Sequence, residues 1–271
     1  MVPVPKKSLP KDAAQRLKQY QASVDSHLDY PARVTAAKAL FSTHNRSTDV
    51  AFRAVRQALK AMCFGVERCM YCEDAPADEV EHIRPKDLYP ELVFAWSNYL
   101  YACGPCNGPK NNRFSVLSRG KMVDVTRRRG DPMRPPKKGK PALINPRVEN
   151  PLDFFMLDLV DTFEFAIISS PGTVDYDRAE YTRDVHRLNE RDTLKRARRT
   201  AFVSYGAMLR EYGDATAAGN LPEAIRIKNA ICESSQATLW AEMKRQSKAH
   251  VKLKHLFERA PDALMWPFPV S

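Results

Sequence analysis

The 271-residue sequence has no apolar run of the length needed to cross a bilayer, so no membrane role is expected. It has no internal repeat and no Gly-rich Walker-type loop of the kind that cradles nucleotide phosphates. Behind the lysines of the first ten residues there is no hydrophobic stretch, so a secretory signal is not expected and the cytoplasm is the expected compartment. Nor is the composition that of a disordered chain: 44% of residues are hydrophobic and 28% charged, ordinary values for a globular protein.

What is present points elsewhere. The formal net charge is +11, an excess of basic groups that favours polyanionic partners. Of six cysteines, four form two C-x-x-C pairs, Cys69/Cys72 and Cys103/Cys106, while Cys63 and Cys232 stand apart. Without an export signal, such pairs favour metal over disulfide.

Periodicity divides the chain into four segments. Residues 1–64 read as a loose tail followed by helices, with Pro31 opening a second helix that ends near Phe41 and Ser47-Thr48-Asp49 capping a third. In that third helix Phe52, Val55, Leu59 and Met62 share one face. Residues 65–118 break the helical pattern and suit short strands and turns. Residues 119–141 are basic and Pro-rich, either a linker or a loop that tracks a phosphate backbone through groups such as Arg127, Arg128 and Arg129. Residues 142–271 read as mainly helical, with a short strand near 163–168, one long helix over about 178–211 and another over about 222–247. In the long helix Arg183, Arg187, Arg191 and Lys195 would form a basic stripe at i,i+4 spacing. The expected class is therefore α+β, mostly α, with a zinc-stapled module between two helical regions.

Two residues between cysteines let both thiolates turn onto one ion, and two such knuckles complete a tetrahedral four-sulfur shell. A closed shell offers no position to substrate, so this zinc is expected to be structural. Thirty residues separate the knuckles, and the insert carries the chemistry: Glu79-Val80-Glu81-His82-Ile83-Arg84-Pro85-Lys86, then Trp96-Ser97-Asn98. Directly after the second knuckle come Asn107, Lys110 and Arg113.

This combination resembles the HNH, or ββα-metal, nuclease family, in which a hairpin packs on a helix around one catalytic divalent ion. Its zinc-containing branch brackets the hairpin with C-x-x-C knuckles, as here. Phosphodiester hydrolysis needs an activated water and neutralised phosphoryl charge. An imidazole titrates near neutrality, so His82 can take the water's proton, the role the resemblance also assigns it. Glu81 and the amide carbonyl of Asn107 are expected to hold Mg²⁺ or Mn²⁺, with Glu79 as the alternative carboxylate because strand alternation puts both on one face. Asn98 matches the motif's middle asparagine, whose side chain braces the loop orienting the histidine. Asn107 stands where many members have a second histidine, and Glu81 where an aspartate is commoner. Lys86, Lys110 and Arg113 are the candidate phosphate contacts.

The longer string, with Tyr89-Pro90-Glu91-Leu92, Leu143-Ile144-Asn145-Pro146 and Leu188-Asn189 besides the motifs above, is similar to the PtuB-type HNH proteins of Septu anti-phage systems and some retrons. The similarity covers residues from about 65 to 200. It implies DNA, or less readily RNA, as substrate and a PtuA-type ATPase as partner; with no Walker loop here, nucleotide dependence would come from that other chain. The competing readings are a non-catalytic zinc module that binds nucleic acid or scaffolds a complex, and a stand-alone restriction or homing-type HNH enzyme.

Overall fold

The computed structural model describes residues 1–267; residues 268–271, the end of the expected C-terminal helical region, lie outside the described residues. The fold is α+β, with long helices around three small antiparallel sheets. None of the described helices is long and apolar enough to cross a membrane.

Three helices open the chain: α1 (Lys11–Asp25), α2 (Tyr30–His44) and α3 (Val50–Lys60). Asp29 caps α2, its side chain accepting from Ala32 N at 2.7 Å, and Pro31 fills the first turn, where a missing N–H costs nothing. Asp49 caps α3 in the same way, accepting from Phe52 N at 3.0 Å. On α3 the residues Phe52, Val55 and Leu59 are fully buried, as their spacing requires.

The hairpin β1 (Glu79–His82) and β2 (Tyr99–Ala102) follows, with Glu81 opposite Leu100 and His82 opposite Tyr99. The short helix α4 (Gly104–Lys110) leaves the end of β2 directly. Next comes a three-stranded sheet in the order β4 (Lys121–Asp124), β3 (Ser115–Ser118), β5 (Lys140–Pro141). The basic segment is thus pinned at both ends by sheet pairing. Its middle is held by Arg127, which donates to the Tyr30 hydroxyl and the Arg134 carbonyl, each at 2.9 Å. Gly139 passes so near β3 that any side chain there would collide with the Leu117 carbonyl.

A second hairpin, β6 (Phe155–Leu157) and β7 (Phe165–Ile167), precedes α5 (Val174–Val185), α6 (Asp192–Ala217), α7 (Leu221–Cys232), α8 (Ala237–Arg245) and α9 (Val251–Arg259). The single helix expected over 178–211 is in fact two, α5 and α6, with a turn at residues 186–191. Arg187 takes the left-handed conformation there (φ 52°), and Leu188 N reaches back to Arg183 O, the reverse-turn cap that ends many helices. Glycine normally marks that position, and an arginine gives no such signal. Asn189 then fixes the turn onto β7, donating to Phe165 O and accepting from Phe165 N, both at 2.9 Å. The helix expected over 222–247 is likewise divided, between α7 and α8, with Gln236 at φ 69°.

The break dissolves the expected basic stripe. Arg183 pairs with Asp184 at 2.7 Å, Arg187 with Glu190 at 2.6 Å, and Lys195 with both Glu164 and Asp192 at 3.0 Å. Arg191 turns inward to the Cys106 sulfur at 3.1 Å. These four cations serve local partners and do not lie in one stripe along a single helix.

Candidate metal centre and polar cleft

The four paired cysteines are buried and none is in a disulfide. Their sulfurs all lie within 4.8 Å of one another, and among the described residues they form the group of His, Cys, Asp and Glu side chains placed to hold an ion. Cys72 Sγ and Cys103 Sγ are 3.8 Å apart. A tetrahedron with metal–sulfur bonds of about 2.3 Å has edges of about 3.8 Å, so the sulfurs are spaced for one zinc ion.

Local hydrogen bonds explain the convergence. The first knuckle is a tight turn closed by Glu73 N to Cys69 O at 2.8 Å, with Glu73 itself in the left-handed region, and Met70 N ties it to Tyr101 O of β2 at 3.0 Å. Cys103 precedes α4 and Cys106 lies in its first turn, so the second knuckle is a helix start, closed by Cys106 N to Cys103 O at 3.0 Å. Bonds between the thiols push the Cys72 and Cys103 pKa values down, while burial holds Cys69 up and its neighbours hold Cys106 up. Deprotonated together, four sulfurs this close would require a cation, and the Arg191 guanidinium on Cys106 would offset part of the remaining negative charge.

One residue past the last cysteine begins the cleft. Its volume is about 240 Å³, and Glu79, Glu81, His82, Lys86, Asn107 and Lys110 are among its lining residues. The expected acid, histidine and C-terminal asparagine are therefore brought to one pocket.

His82 Nε2 lies 2.9 Å from the Val93 carbonyl. A carbonyl only accepts, so Nε2 carries the proton and Nδ1 is the ring's one acceptor in the neutral form. Phe41 of α2 packs edge-on against the ring at 4.4 Å between centroids, and Tyr99 at 5.2 Å. Burial, with the Lys86 and Lys110 ammonium groups nearby, pushes the His82 pKa down to about 3. The ring should therefore stay neutral in the free protein at pH 5.5, read by NMR from its nitrogen and carbon shifts; a midpoint near 6.5 would contradict this environment.

Asn98 braces the loop that carries Val93. Its Oδ1 accepts from Arg84 N at 2.8 Å, and its amide donates to Arg84 O at 3.0 Å and Leu92 O at 3.1 Å. The loop is also held from α1, where Gln21 accepts from Phe94 N at 3.0 Å and donates to Pro90 O at 3.1 Å. Asn98→Ala removes three bonds and strands the Arg84 amide, which should cost about 3 kcal/mol in urea unfolding.

The carboxylates divide their tasks. Glu79, exposed at the cleft mouth, accepts from Asn107 Nδ2 at 2.6 Å, which leaves Asn107 Oδ1 as that side chain's remaining donor to a cation. Glu81 is 1% exposed; its Oε2 accepts from the Tyr71 hydroxyl at 2.8 Å. Lys110 Nζ is 2.5 Å from Glu81 Oε1 but outside hydrogen-bond geometry, so that buried oxygen has no hydrogen-bond partner. Glu81 Oε1, ion-paired with the Lys110 ammonium, and the Asn107 side chain line the same cleft, oxygen donors of the kind a hard divalent ion takes.

Lys110, expected as a phosphate contact, lies at the floor of the cleft. It is 1% exposed, with its ammonium between Glu81 and the His82 carbonyl, the latter at 2.7 Å. Lys86 is half-buried at the cleft wall, and Arg113 is exposed in an adjoining groove of about 580 Å³ that also carries Lys38, Arg127, Arg128 and Arg129. Cleft and groove meet at Gly108, Asn111 and Asn112.

Sequence reasoning passed over Tyr71, His186 and Arg191 as contributors to this region. Tyr71 stood inside a C-x-x-C pair, a position that could have marked it. His186 had no local context; the fold alone brings it to stack on Tyr71 at 3.7 Å.

Fold and site together define a metal-binding α+β protein, in which a four-cysteine centre that could hold zinc supports a polar cleft on a hairpin and helix. Over 53 residues the chain is 45% identical to the Septu protein PtuB of Bacillus thuringiensis, an alignment covering 18% of this chain and 21% of that protein. The match thus spans about a fifth of that curated relative's length. No family model and no solved structure matches.

Proposed function

We propose that this protein is an HNH-type nuclease that hydrolyses phosphodiester bonds of DNA with one divalent cation, Mg²⁺ or Mn²⁺, and that it acts as the effector of an anti-phage defence complex. The observation that carries the reading is the fixed tautomer of His82. Its proton is committed to Val93, so its free nitrogen is a base, in the same cleft as Glu81 and Asn107. Glu81 Oε1 and Asn107 Oδ1 would hold the cation, which would neutralise charge building on the phosphoryl oxygens and stabilise the leaving oxygen. His82 would take the proton of the attacking water. A base with so low a resting pKa is weak, but an anionic phosphate entering the cleft favours its protonated form and so strengthens it.

The adjoining groove supports a nucleic-acid substrate. Arg113 and Arg129 are exposed there, next to the cleft, and neither is tied to an acidic side chain among the described ion pairs. Reversing both to glutamate should weaken DNA binding uniformly across sequences. It should also reduce the salt dependence, log K against log salt, by about one for each phosphate left without its cation. An unchanged slope would make these arginines solvated surface.

The defence role and the PtuA-type ATPase partner rest on the similarity to PtuB. Plasmid DNA incubated with the purified chain and Mg²⁺ or Mn²⁺, alone and with such an ATPase, beside a His82→Ala variant, tests the whole reading. Cleavage that requires both cation and His82 supports it. Nucleic-acid binding with no cleavage under any of these conditions would instead favour a non-catalytic zinc module.

A further inference from the structure

We propose that Tyr71 is a positioning residue that couples the four-sulfur centre to the cleft, its hydroxyl holding the Glu81 carboxylate in the orientation that receives the divalent cation. This rests on the metal-dependent reading of the cleft and adds a residue to it.

Tyr71 lies between two of the sulfur ligands in sequence, and its backbone N–H faces Cys69 Sγ at 3.5 Å. The side chain is wholly buried and crosses to β1, where it donates to Glu81 Oε2 at 2.8 Å. His186 stacks on the ring at 3.7 Å with 23° between planes, and His186 Nδ1 lies 3.4 Å from the Cys106 carbonyl in the other knuckle. The ring is thus gripped from both halves of the four-cysteine frame.

A glutamate has rotamer freedom that must be lost when it binds an ion. With Oε2 fixed by Tyr71, that loss is taken in advance, and Oε1, which faces the Lys110 ammonium at 2.5 Å, is the oxygen that would exchange that ammonium for the cation. An ion shared by the sulfurs should stiffen the first knuckle further, so filling the four-sulfur centre should raise cation affinity in the cleft, and the reverse must hold to the same factor. A tyrosine that merely fills space would affect stability and leave cation affinity alone.

The test uses the zinc-loaded full chain. Mn²⁺ uptake is followed by the electron paramagnetic resonance signal of free Mn²⁺, in the wild type and in Tyr71→Phe, with zinc content and melting temperature read on both. The expected result is Mn²⁺ affinity weakened roughly 10-fold or more in Tyr71→Phe, with about one zinc per chain retained. Equal Mn²⁺ affinity in the two proteins overturns the proposal while leaving the cleft's cation site standing. A wild type that takes up no Mn²⁺ overturns that site and the proposal with it. Should Tyr71→Phe fail to hold zinc, 3-fluorotyrosine at position 71 keeps the ring and alters only the donor; a shift in Mn²⁺ affinity then supports the proposal, and none refutes it.

Discussion

Replacing His82 with alanine should lower cation-dependent DNA cleavage by about 100- to 10,000-fold, the range for loss of a positioned general base. The expectation is specific because, apart from its packing on Phe41 and Tyr99, the ring contributes little else. It supports neither the sulfur centre nor the groove, and its one hydrogen bond goes to Val93, which Tyr99 also satisfies at 2.6 Å. The variant should therefore fold, hold about one zinc per chain and bind DNA as the wild type does. Supercoiled plasmid over a time course, with zinc read by elemental analysis, separates lost chemistry from lost structure. Equal cleavage by both proteins would mean that His82 is not the base.

The second large effect lies at the sulfurs. Cys103→Ser should remove zinc and order together. A structural four-sulfur site contributes on the order of 10 kcal/mol to a small metal domain, comparable to the whole stability of a typical protein. The two knuckles hold the start of α4 against the end of β2, and Asn107 follows the last sulfur by one residue. Without the ion, Asn107 and Glu79 lose their common anchor. Expected results are zinc near zero per chain, lower solubility and reduced helix signal in circular dichroism. A soluble Cys103→Ser protein with wild-type melting would show that the cysteines do not fasten the fold.

Much of this was legible in the sequence because the signals were local. C-x-x-C spacing specifies a knuckle whatever surrounds it, and Asp49 ahead of an apolar face specifies a helix start. Asn98 is matched to its loop through the resemblance to the HNH motif, and its partners, Arg84 and Leu92, do lie in the same insert. What stayed hidden depends on contacts distant in the chain or on atypical residues. The α5–α6 break rests on an arginine in a conformation usually given to glycine, so helical periodicity ran straight through it. Lys110 looked like a surface cation because nothing nearby in sequence showed Glu81 as its partner. The choice between Glu79 and Glu81 could not be made from strand alternation. The structure separates them by what each meets: Asn107 for one, Tyr71 and Lys110 for the other.

The N-terminal helices gain a functional meaning that their sequence did not carry. Gln21 of α1 holds the loop that presents the Val93 carbonyl, and Phe41 of α2 packs on the His82 ring. Loosening either should disturb the tautomer on which the proposed base depends.

The most direct measurement is anomalous scattering from crystals of the zinc-loaded protein soaked in Mn²⁺, with data on both sides of each metal's absorption edge. The expected result is a zinc peak among the four sulfurs and a separate manganese peak between Glu81 Oε1 and Asn107 Oδ1, within reach of His82 Nδ1 through one water. Manganese bound elsewhere, or a cleft that stays empty while the protein still cuts DNA, would contradict it.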